Sequence, residues 1–208
     1  RERDRLGGLP SAFSPLVPFL RKKACDFGWD WGPALTGAGI WRDVELSCWS
    51  IARLAAVRPS ARVIGTSGVV DLDVEVDHDG GTHDLVLEAI IGGRTHRRHV
   101  PAGTRRVRFG IEVPSPELWW PAGLGRQRLY DLTVQLRTDA RLLDEITQRI
   151  GFRTVLVEEA PDEEGGESFG ISVNGVNLFV RGFNWIPDDT SIARVTPGDY
   201  RRGITDAL

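Results

Sequence analysis

An unbroken alternation of apolar and acidic residues from Val70 to Asp77 constrains the fold of this chain more than any other feature. Successive side chains of an extended strand point to opposite faces, so the apolar residues share one face and the acidic residues share the other. A helix would scatter the same residues around its whole surface. We therefore predict a half-buried β-strand whose core-facing residues are Val70, Leu72, Val74 and Val76.

The same period of two recurs in three other segments, residues 42–48, 107–113 and 130–136, which carry apolar residues at every second position. Glycine-bearing turns at Asp79–Gly81 and at Gly92–Gly93 have the composition of hairpin turns. Short strands separated by turns about every ten residues are typical of an antiparallel sandwich of the immunoglobulin type. The fold class predicted is therefore mainly β, with the sandwich running from about Ile51 to Glu158.

The pattern changes after the acidic run Glu158–Glu167, which we interpret as an exposed loop. Asn174–Gly175 predicts a two-residue turn that leads into a second strand from about Val176 to Phe183. Thr196 is then expected to cap a helix with Pro197 at its first position, Asp199 in its first turn, and Tyr200, Ile204 and Leu208 at helical spacing. A strand, a loop and a helix in this order form the opening unit of a β/α repeat.

Composition excludes several classes of function. With 41% apolar residues, a net charge of −3 and no apolar run near the roughly 20 residues of a membrane span, the chain is typical of a soluble globular protein. The basic segment 94–108 has no interleaved aromatic residues, which favours a solvated strand over a nucleic-acid surface. Cys25 and Cys48 lack partners at metal-ligand spacing and are interpreted as small buried residues. Their lack of a disulfide pattern favours the cytoplasm.

The chain contains no methionine and starts at Arg1, so we interpret it as an internal piece of a larger protein. Five motifs together resemble the β-mannosidases of glycoside hydrolase family 2. They are FGWDWGP at 27–33, GIWRDVEL at 39–46, LWWPAGLGRQRLYDLTVQL at 118–136, RIGFRTV at 149–155 and VNGVNLFVRGFNWIP at 173–187.

The resemblance implies three parts of a longer enzyme. Residues 1–50 would be the C-terminal part of a jelly-roll sugar-binding domain, 51–158 an immunoglobulin-like β-sandwich, and 168–208 the start of a (β/α)8 catalytic barrel. It also implies a retaining hydrolase that removes terminal β-linked mannose from non-reducing ends. The exo-glucosaminidases resemble DWNP where this chain has DWGP at 30–33, so an exo-β-glucosaminidase or another family 2 hydrolase is the alternative.

Trp29, Asp30 and Trp31 stand between Gly28 and Gly32. A pyranose presents hydroxyls at its rim and C–H groups on its face, so its site needs a flat aromatic surface and a fixed hydrogen-bond acceptor. By resemblance, Asp30 binds hydroxyls of the terminal mannose and Trp29 walls the pocket, whereas Trp31 packs inward. The alternative is that both tryptophans are core residues and Asp30 caps a turn.

The second pair of candidate substrate-binding residues is Asn184 and Trp185, which follow the predicted first barrel strand. Active sites of such barrels lie at the carboxyl ends of the strands. The resemblance places Trp185 against the sugar in the cleavage subsite, with Asn184 as a hydroxyl partner. A tryptophan packed under a loop is the alternative. Arg181 is a further candidate, and Trp119 with Trp120 is interpreted as anchoring the sandwich.

Retaining glycosidases use two carboxyl groups, and in the resembling family both are glutamates, the first of which follows an asparagine. No Asn-Glu pair occurs in this chain. We expect the catalytic glutamates to lie beyond Leu208, so no catalytic residue is assigned here and the piece alone should be inactive. The expected partner is a β-mannoside or manno-oligosaccharide, without cofactor, metal, nucleic acid or membrane. A non-catalytic carbohydrate-binding or structural module remains a second hypothesis.

Overall fold

The computed structural model describes residues 5, 7, 17–161 and 164–207, and antiparallel β-strands are their main regular structure. The chain divides into two compact units, one made of Arg1–Leu46 with Gly182–Leu208 and the other of Ser47–Arg181. The described residues of the second unit form ten strands in three sheets, and all of the paired neighbours are antiparallel. The predicted mainly β fold class is confirmed.

Seven of these strands form the two sheets of a sandwich. The first sheet has the order β1-β2-β5 and the second the order β4-β3-β6-β7. The fourth strand lies beside the third in the second sheet. In an immunoglobulin domain of the constant type, the fourth strand lies in the first sheet instead. The strands are β1 (Ala52–Ile64), β2 (Ser67–His78), β3 (Leu85–Ile91), β4 (Arg94–Val100), β5 (Arg106–Pro114), β6 (Tyr130–Arg137) and β7 (Leu142–Ile150).

The alternation in β2 sorts its side chains as the sequence predicts. Its four apolar residues are at most 2% exposed and lie in one core with the buried residues of β3 and β6. Its carboxylates face outward and pair with arginines of the two neighbouring strands. Each negative charge on this face therefore has a positive partner at the surface. The outward pairs are Asp71 with Arg62, Asp73 with Arg106, Glu75 with Arg58, and Asp77 with Arg53.

The two predicted turns differ in what they connect. Gly92 and Gly93 have φ of 56° and 74° and join the paired strands β3 and β4, which confirms a hairpin there. Asp79–Gly81 was predicted as a hairpin turn as well, and this prediction is wrong because β2 and β3 lie in different sheets. Turn composition predicts only that the chain changes direction, and the pairing of the flanking strands depends on packing.

A third sheet of three strands follows the sandwich in the chain, in the order β10-β9-β8. Its strands are β8 (Val155–Pro161), β9 (Glu167–Val173) and β10 (Val176–Leu178). The acidic run predicted as a loop over 158–167 therefore contributes its two ends to strands, while Asp162 and Glu163 lie outside the described residues. Pairing through backbone groups needs no apolar side chains, so an acidic segment can form an exposed strand.

The turn at Asn174–Gly175 is confirmed, with φ of 53° and 78° between β9 and β10. The predicted strand after it is too long, because β10 ends at Leu178 and the next five residues are not in a strand. Phe179 is 87% exposed. Apolar residues alone predicted the longer strand, but a strand also needs a neighbour to accept its backbone hydrogen bonds.

The first unit contains the helix α1 (Pro197–Ala207) and short 3₁₀ turns at Val17–Phe19, Ala24–Phe27 and Ile192–Arg194. The helix begins as predicted. The Thr196 backbone N–H donates to Asp199 Oδ2 at 2.8 Å, and the Asp199 N–H donates back to Thr196 Oγ1 at 3.3 Å. Tyr200 and Ile204 are exposed, and Leu208 lies outside the described residues.

The segment Arg42–Cys48 was predicted as a strand from its alternation, and the structure contradicts this prediction. Val44 is 82% exposed and Leu46 is 89% exposed, and no described residue pairs with this backbone. An alternating pattern becomes a strand only where a neighbouring strand and an apolar surface are present.

No helix within the described ranges is both long enough and apolar enough to cross a bilayer.

Candidate functional site

A tight turn presents the first pair of candidate residues. The Trp29 N–H donates to the Gly32 carbonyl at 3.0 Å, and the Gly32 N–H donates to the Trp29 carbonyl at 3.3 Å, so Asp30 and Trp31 form the tip. Gly28 precedes the turn with φ of 100°, a value that side chains with a Cβ rarely adopt. The sequence Gly-Trp-Asp-Trp-Gly therefore folds into a narrow projecting loop.

The side chains of this loop differ in exposure. Trp29 is 49% exposed and Asp30 is exposed, whereas Trp31 is half-buried. Within the part of the chain that the structure describes, the Asp30 carboxylate accepts no hydrogen bond and forms no ion pair. A turn cap would accept a backbone N–H, and a core tryptophan would be buried. Neither description fits Asp30 or Trp29, and the expected inward packing of Trp31 is only partial.

Charged contacts fix the base of the loop. Lys23 Nζ lies 3.3 Å from Asp26 Oδ1 and also donates to the Thr190 carbonyl. Gly32 approaches the same segment closely, because a Cβ at Gly32 would lie 3.2 Å from Thr190 Cγ2. The Lys23 hydrogen bond and the close approach of Gly32 thus join the loop to the segment 188–191. This segment follows the second pair of candidate residues in the chain.

The segment 188–191 is itself held by Asp189. Its carboxylate accepts two hydrogen bonds from Arg194, at 2.8 and 2.7 Å, and one from the Ser191 N–H at 2.6 Å. The Arg194 guanidinium, followed by the Ser191 N–H, holds the pKa of Asp189 below its ordinary value. The ionised carboxylate therefore fixes this turn at neutral pH.

Trp185 lies among aromatic neighbours. Its ring centroid is 5.8 Å from that of Phe183 and 5.9 Å from that of Tyr200 in α1. The indole is half-buried, and Asn184 beside it is exposed. A half-buried indole leaves part of its apolar surface available to a ligand.

The structure therefore keeps Trp29 beside Asp30 on one loop and Asn184 beside Trp185 on another segment. Lys23 and Gly32 both contact Thr190, which follows Trp185 by five positions in the chain. Within the described residues no hydrogen bond or ion pair joins Asp30 to Asn184. The contact of Lys23 with Thr190 could not be predicted from the sequence, because the two residues lie 167 positions apart in the chain.

An open cleft of about 940 Å³ in the same unit is lined mostly by other residues, among them Lys23, Asp26, Trp41 and Thr190. None of the four predicted site residues lines it. Much of its wall is the extended segment 34–41, whose backbone hydrogen bonds are few among the described residues. We therefore assign the candidate site from the exposed aromatic and carboxylate groups and not from this cleft.

Trp119 and Trp120 have structural surroundings. The Trp119 N–H donates to the Phe152 carbonyl at 2.8 Å, and the Arg153 guanidinium lies 4.9 Å from the Trp119 ring centroid. The Trp120 ring packs on Gly125, where a Cβ would come within 2.8 Å of the indole. These contacts agree with the predicted anchoring role.

Arg181 is exposed.

Comparison with known proteins relates this fold to a family. The family description Glycosyl hydrolases family 2 matches residues 53–153, which span β1 to β7, and the description Glycosyl hydrolase 2 galactose-binding domain-like matches residues 3–42. Beta-mannosidase B of Neosartorya fischeri is 35% identical in an alignment of 196 positions that covers 89% of this chain and 22% of that protein.

Two solved structures share the fold of this chain. The β-D-mannosidase of Dictyoglomus thermophilum matches 99% of this chain and 26% of its own, with 32% identity and a TM-score of 0.83. An exo-chitosanase of Amycolatopsis orientalis matches 76% of this chain and 19% of its own, with 21% identity and a TM-score of 0.63, and shares the fold. This chain spans only about a quarter of the length of such relatives. Matched by two descriptions of one family over most of its length, the chain belongs to family 2 of the glycosyl hydrolases.

Proposed function

We propose that the protein containing this chain is a β-mannosidase that removes terminal β-D-mannose from the non-reducing ends of β-mannosides with retention of configuration. One observation carries the proposal. Identity to proteins named β-mannosidase is 32–35% over 86–99% of this chain, against 21% over 76% for the exo-chitosanase. The proposed substrate is a β-mannoside or a manno-oligosaccharide.

Asp30 and Trp29 are the proposed sugar-recognition pair. An exposed carboxylate at the tip of a fixed loop can accept hydrogen bonds from two adjacent hydroxyls, and charge assistance strengthens such bonds. The indole of Trp29 is 49% exposed, and exposed aromatic surface can pack against the C–H groups of a sugar ring. Because both side chains stand on one tight turn, a sugar that meets one lies within reach of the other.

Trp185 and Asn184 are proposed to complete the subsite. The aromatic neighbours of Trp185 limit its rotation, so its free surface can act as a fixed wall. The Asn184 amide can donate to one hydroxyl and accept from another. In this assignment the chain binds and orients the sugar that is cleaved.

The chemistry itself requires two carboxyl groups roughly 5–5.5 Å apart, one as acid and base and the other as nucleophile. We propose that both are glutamates outside these 208 residues, since the chain contains no Asn-Glu pair. The same proposal assigns residues 1–50 to a jelly roll, 51–158 to the sandwich and 168–208 to the start of a (β/α)8 barrel. Cys25 is half-buried and Cys48 is exposed, so the prediction that both are buried is wrong, and the two free thiols support a cytoplasmic location.

The test uses the full-length protein and 4-nitrophenyl glycosides. We expect kcat/KM for the β-mannoside to exceed that for the β-glucosaminide, which differs only at C2, by at least roughly tenfold, and that for the β-galactoside, which differs at C2 and C4, by roughly a hundredfold, since each lost hydroxyl-specific contact costs roughly tenfold or more. NMR should detect β-mannose as the first product. A preference for the β-glucosaminide would assign an exo-glucosaminidase, and sugar binding without hydrolysis would assign a non-catalytic module.

A further inference from the structure

Gly203 lies inside helix α1, where glycine weakens a helix because it has more backbone freedom to lose than alanine. Its place is explained by Trp185. A Cβ built on Gly203 would lie 2.4 Å from Trp185 Cη2 and 2.9 Å from Cζ2, distances that real contacts do not reach. The indole therefore occupies the space that a side chain at position 203 would need.

Gly198 in the same helix has no such close neighbour, so the lack of space at position 203 is caused by the Trp185 indole and not by the helix itself. A Cβ on Gly198 would meet only Thr196 Oγ1, at 3.5 Å, which is an ordinary contact. A Cβ is therefore accommodated at position 198 of this helix but not at position 203.

Other contacts of Trp185 fix the plane of its ring. Tyr200 precedes Gly203 by three residues, so both lie on the same face of α1. The Tyr200 ring is inclined by 46° to the indole, and the Phe183 ring by 39°. Gly203 lets the benzo end of the indole rest on the helix backbone while the two rings hold its sides.

We infer that Gly203 is a positioning residue for sugar binding, which acts by setting the depth and tilt of the Trp185 indole. This inference rests on the function proposed above. A methyl group at position 203 would push the indole away from the helix and change the surface that Trp185 presents to a ligand. A displacement of about 1 Å in a substrate-positioning group can lower the rate roughly a hundredfold.

The experiment compares Gly203→Ala with Gly198→Ala in the full-length protein, using 4-nitrophenyl β-mannoside. We expect Gly203→Ala to lower kcat/KM at least roughly tenfold, with a melting midpoint close to that of the wild type. Gly198→Ala should keep kcat/KM within about twofold, since it introduces no close contact. Equal effects of the two substitutions would overturn the inference.

A double-mutant cycle with Trp185→Phe separates positioning from a loss of helix structure. The phenyl ring lacks Cη2 and Cζ2, so Gly203→Ala should lower kcat/KM no further in the Trp185→Phe background. Additive losses would overturn the inference. If Gly203→Ala alone does not fold, the double variant should fold, and its failure to fold would also count against a role through Trp185.

The wild-type measurement distinguishes the two proposals. If the wild-type protein does not hydrolyse the β-mannoside, the proposed function fails. If it does hydrolyse the β-mannoside and the cycle shows no coupling, only the role of Gly203 fails.

Discussion

At the residue scale, the surroundings of Asp30 indicate whether the fold needs its exposed carboxylate. It stands at the tip of a turn whose backbone hydrogen bonds are made by Trp29 and Gly32, so the fold of the turn does not need its side chain. Within the described residues it has no hydrogen-bond or ion-pair partner. A group that contributes little to stability is available to a ligand.

We expect Asp30→Ala to lower kcat/KM of the full-length protein on an aryl β-mannoside by roughly tenfold or more for each hydroxyl bond lost, because charge-assisted bonds contribute about 1.5–3 kcal/mol each. The free energy of unfolding should change by less than about 0.5 kcal/mol. Activity and the melting midpoint are measured together. Near-normal turnover with early melting would make Asp30 a structural turn residue.

Trp31→Ala is the matched substitution on the same turn and should have the opposite effect. Since Trp31 is half-buried, its loss should lower the free energy of unfolding by about 2 kcal/mol, less than the roughly 3–5 kcal/mol of a fully buried tryptophan. Chemical denaturation measures this. A larger effect on kcat/KM than that of Asp30→Ala would exchange the proposed roles of the two residues.

Asp73 should make stability depend on pH. Arg106, with a further contribution from Arg108, lowers the pKa of the Asp73 carboxyl from 3.8 to about 2. The folded state therefore binds this proton less tightly than the unfolded chain, and the resulting stabilisation is present above about pH 4 and lost as the pH falls toward 2. Asp73→Asn should make the fall in melting midpoint between pH 4 and 2 shallower.

Arg106→Gln removes the main donor to Asp73 and should also flatten the pH dependence of the melting midpoint. If both variants keep the wild-type slope over this pH range, other carboxylates control acid unfolding of the sandwich.

At the scale of elements, the β9–β10 hairpin is joined to the sandwich by Asn174 at its turn. The Asn174 Oδ1 accepts from the Thr154 N–H at 3.0 Å, and Nδ2 donates to the Trp119 carbonyl at 3.0 Å. Its backbone N–H also donates to the Thr154 carbonyl at 2.9 Å. The Asn-Gly pair predicts a turn. It does not predict that the Asn174 side-chain amide bonds to Thr154 and Trp119, because these partners are 20 and 55 positions distant.

We expect Asn174→Gly to lower the free energy of unfolding by about 2 kcal/mol, since two hydrogen bonds of about 1 kcal/mol each are lost while positive φ is still allowed. Asn174→Ala should cost roughly 1 kcal/mol more, because alanine resists the left-handed conformation. Denaturant titration of the 208-residue chain measures both. Wild-type stability in Asn174→Gly would show that the amide contacts contribute nothing.

At the scale of the whole molecule, the distribution of backbone hydrogen bonds predicts uneven stability. Strands β2, β3 and β6 lie inside their sheets with neighbours on both sides. The backbone N–H groups of 38–49 donate to no carbonyl among the described residues. In hydrogen exchange of the 208-residue chain followed by mass spectrometry, 38–49 should exchange within seconds and the three strands far more slowly. Strong protection across 38–49 would contradict this.

The sequence by itself determined the local features of this protein. Alternation in β2, the glycine turn before β4, the Asn174–Gly175 turn and the capping of α1 by Thr196 and Asp199 all depend on neighbours within a few residues. The motifs also sufficed to indicate the family, since Trp29, Asp30, Asn184 and Trp185 belong to continuous stretches of sequence. Whether these four residues bind a sugar stays a prediction.

Only the tertiary structure decided which segments pair and which side chains meet. The alternating residues 42–48 form no strand, whereas residues 158–161, which begin the acidic run, do, because strand formation depends on a neighbour that local sequence does not specify. The contact between Trp185 and Gly203 has the same origin. Packing brings together residues far apart in the chain, and side-chain periodicity carries no information about distant partners.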